Sequence, residues 1–238
     1  MVVVRGLLGA LVMAVGAALQ GSVGFGSNLV AAPLLVLIDD RYVPGPVIVA
    51  SLLLNILVTR REGAAAIDPG VRAAIIGQVG GIVVAGLVLS SLPADPLSVL
   101  FAALVLLAVL LSAVGWHLHR TPRSLAGVGV ASGFMGTISG IGGPPIALVY
   151  QDAEPAMLRA TLARFFLVGG LLAIPTIAVA GKLGTEEVGP TLTLLPGTVA
   201  GFLASGWTRK HLEGRSIRPI VLVLSAASAV AVVLRAIL

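Results

Sequence analysis

Two stretches of this chain interrupt apolar sequence with clustered glycines and small hydrogen-bonding residues. Residues 21–35 read GSVGFGSNLVAAPLL and residues 136–149 read GTISGIGGPPIALV, about 115 positions later. A helix broken inside an apolar medium leaves backbone N–H groups unpaired at the start of its second half, where the peptide dipoles favour negative charge. Such an end suits a small oxyanion. Gly24, Gly26, Gly140, Gly142 and Gly143 would let the backbone approach a ligand without a Cβ in the way. Ser22, Ser27, Asn28, Thr137 and Ser139 add hydroxyl and amide donors in the same places. Pro33, Pro144 and Pro145 suit the first turn of a helix, where a missing N–H costs little. Close helix packing is the competing use of glycine, and it is the reading preferred for Gly77, Gly81, Gly86, Gly197 and Gly201. Packing needs one small face, not a run of breakers.

Arg164 is the one basic residue well inside an apolar run, about two turns into the sixth of them. A cation there costs at least about 2.5 kcal/mol unless it finds a partner, water or the interface. No acidic residue shares its depth, so its guanidinium fork is expected to bind the substrate anion. The alternative is an arginine that caps carbonyls or snorkels to the near interface. Asn55 is a secondary binding candidate; Gln78 is first expected to make an interhelical hydrogen bond.

The elements that must hold these residues are membrane helices. The chain has 238 residues, 58% hydrophobic and only 11% charged, with a mean hydropathy of +1.09. Those values exclude an ordinary soluble domain. The acidic residues and all the basic ones but Arg164 fall between or beside apolar runs, and Tyr42, Trp116, Tyr150 and Trp207 fall at run ends, as interfacial rings do. Measured against the roughly 20 residues needed to cross a bilayer, the runs are 2–38 (interrupted at 20–28), 43–59, 71–91, 97–116, 124–150 (interrupted at 139–145), 157–180, 188–206 and 217–238. The short charged connections leave no room for a soluble domain. Arg5 and the apolar stretch after it resemble a secretory signal, but hydrophobicity resumes at Leu29, so the segment is expected to stay.

A shift of 116 lays Gly24 and Gly26 on Gly140 and Gly142, and Gly81 on Gly197; a shift of 110 lays Ala50 and Ser51 on Ala160 and Thr161. The chain therefore reads as two repeated halves, 1–119 and 120–238, each an interrupted segment followed by three spans. If all runs cross, positive charge divides eight against six between the faces, which decides nothing. If the interrupted runs dip in and return, one face collects Arg60, Arg61, Arg72, Arg120, Arg123, Arg159, Arg209, Lys210, Arg215 and Arg218, against Arg5, Arg41, Lys182 and Arg235 on the other. That bias favours inverted halves with both termini outside.

The GFG and GIGGPP breaks, each followed by a proline and an apolar stretch, then by an acidic turn and an Ala-Ser or Ala-Thr pair, resemble the sulfite exporter TauE/SafE family of membrane permeases. The resemblance spans both halves. It implies transport of sulfite, of sulfonates such as sulfoacetate or toluenesulfonate, or of related small anions, with Gly24, Gly26, Gly140, Gly142 and Gly143 on the family's glycine motifs. The first motif departs from the glycine-rich form in having Phe25, Ser27 and Asn28.

Beside that expectation stand an anion channel or a carrier of another oxyanion or carboxylate, and a non-transporting assembly subunit. An enzyme is not expected: there is no cysteine and no HExxH, and His117, His119 and His211 lie in basic loops. No cofactor, metal or nucleic acid is called for; the net charge of +5 is explained by loop arginines facing anionic lipid. Asp39, Asp40, Asp152 and Glu154 flank the interruptions and are expected to be turn residues rather than coupling groups. The expected partners are a small anion and the bilayer of a bacterial inner membrane; a homodimer is neither required nor opposed by any residue.

Overall fold

The computed structural model describes residues 2–64, 67–114 and 118–212, and the expected eighth run at 217–238 lies outside them. The described chain is all-helical: α1 (Val2–Val23), α2 (Ser27–Ile38), α3 (Gly45–Glu62), α4 (Val71–Ser91), α5 (Ala94–Val114), α6 (Pro122–Ser139), α7 (Gly143–Tyr150), α8 (Pro155–Val179) and α9 (Val188–Leu212). Five of them, α1, α4, α5, α8 and α9, are long and apolar enough to cross a membrane, which makes this a multi-pass membrane protein. The charged run Arg60, Arg61 and Glu62 closes the 18 residues of α3. At 12 and 8 residues, α2 and α7 rise only about 18 Å and about 12 Å, short of the roughly 30 Å of hydrocarbon.

Local chemistry sets the ends. Thr121 caps α6 and exchanges side-chain hydrogen bonds with Ser124, while Pro122 takes the first turn. The same helix stops where Gly140 turns left-handed, with φ 75°. Between α1 and α2, Gly24 and Gly26 take φ 106° and 100°, which a side chain would resist. Pro144 and Pro145 occupy the first turn of α7, as expected. Pro33 does not: α2 starts at Ser27, immediately after the turn, so Pro33 falls inside the helix.

Three helix pairings make the bundle. In α1 and α9 residue numbers rise together, since a Cβ on Gly197 would strike the carbonyl oxygen of Ala10 and one on Gly201 that of Ala14. The α4–α6 pair is also parallel: Gly77 abuts the Ala126 oxygen, Gly81 the Val130 oxygen, Gly129 the Ala74 oxygen and Gly133 the Gln78 oxygen. The packing role expected for Gly77, Gly81, Gly197 and Gly201 is thus met by backbones in direct contact. Packing equates Gly77, rather than Gly81, with Gly197. The third pair, α3 with α8, is antiparallel: Gly170 lies against Leu52, and Arg159 reaches Glu62.

Contacts at the two ends of the bundle identify which connections lie together. At one end Glu62 holds Arg159 at 3.1 Å and Arg209 at 3.5 Å, while Asp68 faces Arg120 at 3.8 Å. This end, called the basic face here, gathers the connections around 62–68, 120 and 155–159 with the end of α9. At the far end Arg5 lies 3.6 Å from Asp39, Tyr42 reaches Thr193 at 3.3 Å, and Gly45 packs against Leu183. Residues flanking α6–α7 meet at the basic face, where the Arg120 guanidinium stacks 5.0 Å above the Tyr150 ring. Those flanking α1–α2, Arg5 and Asp39, meet at the far end. Tyr42 and Tyr150 are therefore buried, at 4% and 0% exposure, rather than dipping wet tips into an interface; Trp207 is exposed, and Trp116 lies outside the described residues.

Asp39 clamps the far end. A charge-assisted hydrogen bond from Arg41, 2.7 Å, holds its carboxyl down to about 2 against the cost of partial burial. A carboxyl lowered on folding adds stability above its unfolded value, and that stability is lost as pH falls from about 4 towards 2. Because Arg41 is half exposed, the gain is at most about 1 kcal/mol. Arg41→Ala should lower the melting temperature at pH 7, with the effect shrinking as pH falls from about 4 and vanishing only below about 2, as read by tryptophan fluorescence.

Candidate functional site

The two glycine breaks meet. At the head of α2, Asn28 donates through Nδ2 to the Gly140 carbonyl, 2.8 Å away, and to the Ser51 hydroxyl on α3, also at 2.8 Å. Phe25 of the first break lies beside Gly143 of the second. Around this junction is a cavity with about 660 Å³ of empty space, its open mouth included. Its wall combines residues of α1, α2, α3, α4, α6, α7 and α8.

Among the described residues, no charged side chain lines it. The polar wall is made of four amides (Gln20, Asn28, Asn55 and Gln78) and three hydroxyls (Ser51, Ser132 and Thr137), with backbone exposed at Gly26, Gly136, Gly140, Gly142 and Gly143. Leu29, Ile48, Leu52, Ile82, Phe166 and Ala173 complete it with apolar surface. The amides differ in how far they are committed. Gln20 donates to Asn55 at 2.8 Å, and Asn55 in turn donates to the Ser51 carbonyl at 2.7 Å. Asn28 is held by Ser27, Ser51 and Gly140. Gln78 and Ser132, exposed by only 4% and 1%, leave Oε1 and Oγ without a hydrogen-bond partner among the described residues. Buried polar atoms are costly to leave unpaired, and both of these atoms lie on one cavity wall, within reach of whatever fills it.

Of the residues expected to bind, the cavity brings together Gly26, Asn28, Asn55, Thr137, Gly140, Gly142 and Gly143. Four others serve structure instead. Gly24 packs against the Arg159 backbone, and Ser22 ties α1 to α9 through Thr208 at 2.7 Å. Ser27 bonds Asn28, and Ser139 bonds the Met135 carbonyl one turn back while accepting from the Ile141 N–H.

Arg164 is absent from the cavity wall, and its side chain is exposed. Helical phase explains this. The cavity face of α8 carries Phe166, Gly169, Gly170 and Ala173, and at about 100° per residue Arg164 points roughly 120–180° away from them. The interhelical bond expected of Gln78 is likewise not made by its oxygen; its amide lies over Gly169, where any Cβ would collide with Nε2. Gln20, Ser51, Ser132 and Phe166 were not anticipated. The signal available was the four-residue spacing of Ser51 and Asn55 on α3 and the Gly-Gly-Ala stripe that shares a face with Phe166 on α8.

A model of the sulfite exporter TauE/SafE family matches residues 8–232, nearly the whole chain. No curated protein and no solved structure matches it. With several membrane-crossing helices and a family model spanning both glycine breaks, this chain belongs to the sulfite exporter TauE/SafE family of membrane permeases.

Proposed function

We propose that this protein is a secondary transporter of the bacterial inner membrane that carries a small sulfur oxyanion, sulfite or a sulfonate such as sulfoacetate, through the cavity where the glycine breaks meet. The observation that carries this reading is a polar wall, uncharged among the described residues, on which the Ser132 hydroxyl and, with the amide turned about its last bond, Gln78 Nε2 can donate to an oxyanion. An oxyanion there is held by amides, hydroxyls and the N-terminal peptides of α2 and α7, whose dipoles favour negative charge. Neutral donors bind an anion firmly enough for recognition and leave no fixed countercharge to retain it, which suits a site that must also release.

Two inverted halves account for the packing. Exchanging α1 with α6, α2 with α7, α3 with α8 and α4 with α9 turns the parallel α1–α9 pair into α6–α4 and returns the antiparallel α3–α8 pair to itself. In this reading each broken segment enters from its own face and returns to it. Ala10 and Ala126, which receive the glycine contacts, are 116 positions apart, matching the repeat shift of the breaks. The basic face, rich in arginine, is then cytoplasmic.

Detergent-purified protein, screened by thermal shift against sulfite, sulfate, sulfoacetate, taurine, aromatic sulfonates and simple carboxylates, tests the reading. Sulfite or a sulfonate should raise the melting temperature in a saturable way, since a ligand at a hundred times its Kd adds about 2.7 kcal/mol. Stabilisation by carboxylates alone would move the protein to another substrate class, and no response to any of them would remove the anion site. Arg164→Ala, facing away from the cavity, should keep the full response.

A further inference from the structure

The cavity has a charged neighbour that its own wall lacks. Glu62, with its side chain 6% exposed, meets three guanidinium groups: Arg61 at 3.0 Å, Arg159 at 3.1 Å and Arg209 at 3.5 Å. One carboxylate against three cations leaves an excess of positive charge. Arg61 also donates to the Ser205 hydroxyl at 2.6 Å and to the Gly21 carbonyl, so the cluster ties α3, α8 and α9 to the last turn of α1.

Its position follows from helix geometry. Asn55 and Glu62 are seven residues apart on α3, as are Arg159 and Phe166 on α8, and seven residues return a helix to nearly the same face about 10 Å further along. Asn55 and Phe166 line the cavity. Because α3 and α8 run antiparallel, both steps lead towards the basic face, and the Glu62–Arg159 pair closes the same inter-helix seam two turns from the cavity.

We infer that the Glu62–Arg61–Arg159–Arg209 cluster is a second anion site, a stop on the cytoplasmic side where a small oxyanion displaces Glu62 from the arginines on its way to or from the cavity. The inference rests on the reading of the cavity as an oxyanion site. Guanidinium groups suit the task because their planar forks accept a carboxylate or a sulfur oxyanion in the same geometry. Glu62 acts as the internal competitor. It keeps the seam shut in the absence of ligand and yields to a ligand of its own charge, while a cation meets only repulsion.

The chain has no cysteine, so Ser132→Cys places a single thiol on the cavity wall. In inside-out membrane vesicles this thiol is labelled with an anionic and with a cationic methanethiosulfonate of similar size. The anionic reagent should react faster, and Glu62→Gln should accelerate it roughly tenfold while the cationic reagent, facing one more unbalanced positive charge, slows. Arg159→Gln should erase the preference. Equal acceleration of both reagents would reduce the cluster to a plug, and no change with either variant would take it off the route; both results overturn the inference. Should Glu62→Gln fail to insert, Arg209→Gln removes the outermost and most exposed cation, and an unchanged anion preference there would overturn it equally. Because labelling needs no bound sulfite, a charge-selective seam in a protein that ignores sulfite and sulfonates would sink the cavity's substrate reading alone.

Discussion

Replacing Gln78 with methionine should weaken oxyanion binding by roughly ten- to a hundredfold, while the ligand-free protein melts at the same temperature or higher. A hydrogen bond to a charged group contributes about 1.5–3 kcal/mol, which is that range of affinity. The stability half of the expectation distinguishes binding from architecture. Were the amide a structural tie between helices, deleting it would cost stability. Its oxygen has no partner, however, so methionine removes a desolvated acceptor and keeps an unbranched chain over Gly169. Turning the amide about its last bond presents Nε2 to the ligand, so one side chain can offer either atom. Gln78→Glu is the stricter companion: at neutral pH a carboxylate on this wall repels the anion and should abolish binding altogether. Calorimetric titration with sulfite and a thermal melt of each variant suffice. Unchanged affinity in Gln78→Met would remove Gln78 from the site.

The parts legible in the chain were those with a local cause. Gly24, Gly26 and Gly140 turn left-handed where the Gly-Gly pairs inside α4 and α8 stay helical, so α1 ends at Val23 within GSVGFG and α6 at Ser139 within ISGIGG, and Pro144 and Pro145 take the first turn of α7. Apolar length gave five of the spans, with α4 at Val71–Ser91 matching its run end to end, whereas the run expected at 43–59 forms α3, which ends on Arg60, Arg61 and Glu62 and is not among the helices long and apolar enough to cross. What stayed hidden depends on helical phase and on neighbours. Arg164 does not line the cavity, because counting residues gives a position along α8 while phase needs the position of the cavity. Gly169, Gly170 and Ala173 mark the small face of α8, and reading the arginine against them would have turned it outward. Glu62 and Arg159 looked like loop charges because they sit at run ends. Only the antiparallel register of α3 and α8 buries them together.

The α4–α6 contact should tolerate almost no added volume, and Gly81→Ala measures this. A Cβ there meets the Val130 carbonyl oxygen and lies 2.8 Å from the Phe134 nitrogen. Both are backbone atoms that cannot swing aside, so the two helices must part, at a cost of about 1–3 kcal/mol for an overpacked interface. Function should suffer beyond stability, because α6 carries Ser132, Gly133, Gly136 and Thr137 of the cavity wall and ends at the Gly140 break that Asn28 holds. Gly80→Ala supplies the control one residue away: nothing lies within 4 Å of its Cβ, and alanine is the better helix former by about 0.8–1.0 kcal/mol. It should leave the protein unchanged or slightly more stable. Gly197→Ala extends the test to the other half, since its Cβ strikes the Ala10 oxygen as that of Gly77 strikes Ala126. If the halves are equivalent in energy as well as in packing, Gly77→Ala and Gly197→Ala should destabilise by similar amounts in thermal melts. A clear loss at one and none at the other would mean that a single half carries the rigid frame, and the exchange of helix pairs between halves would lose its support.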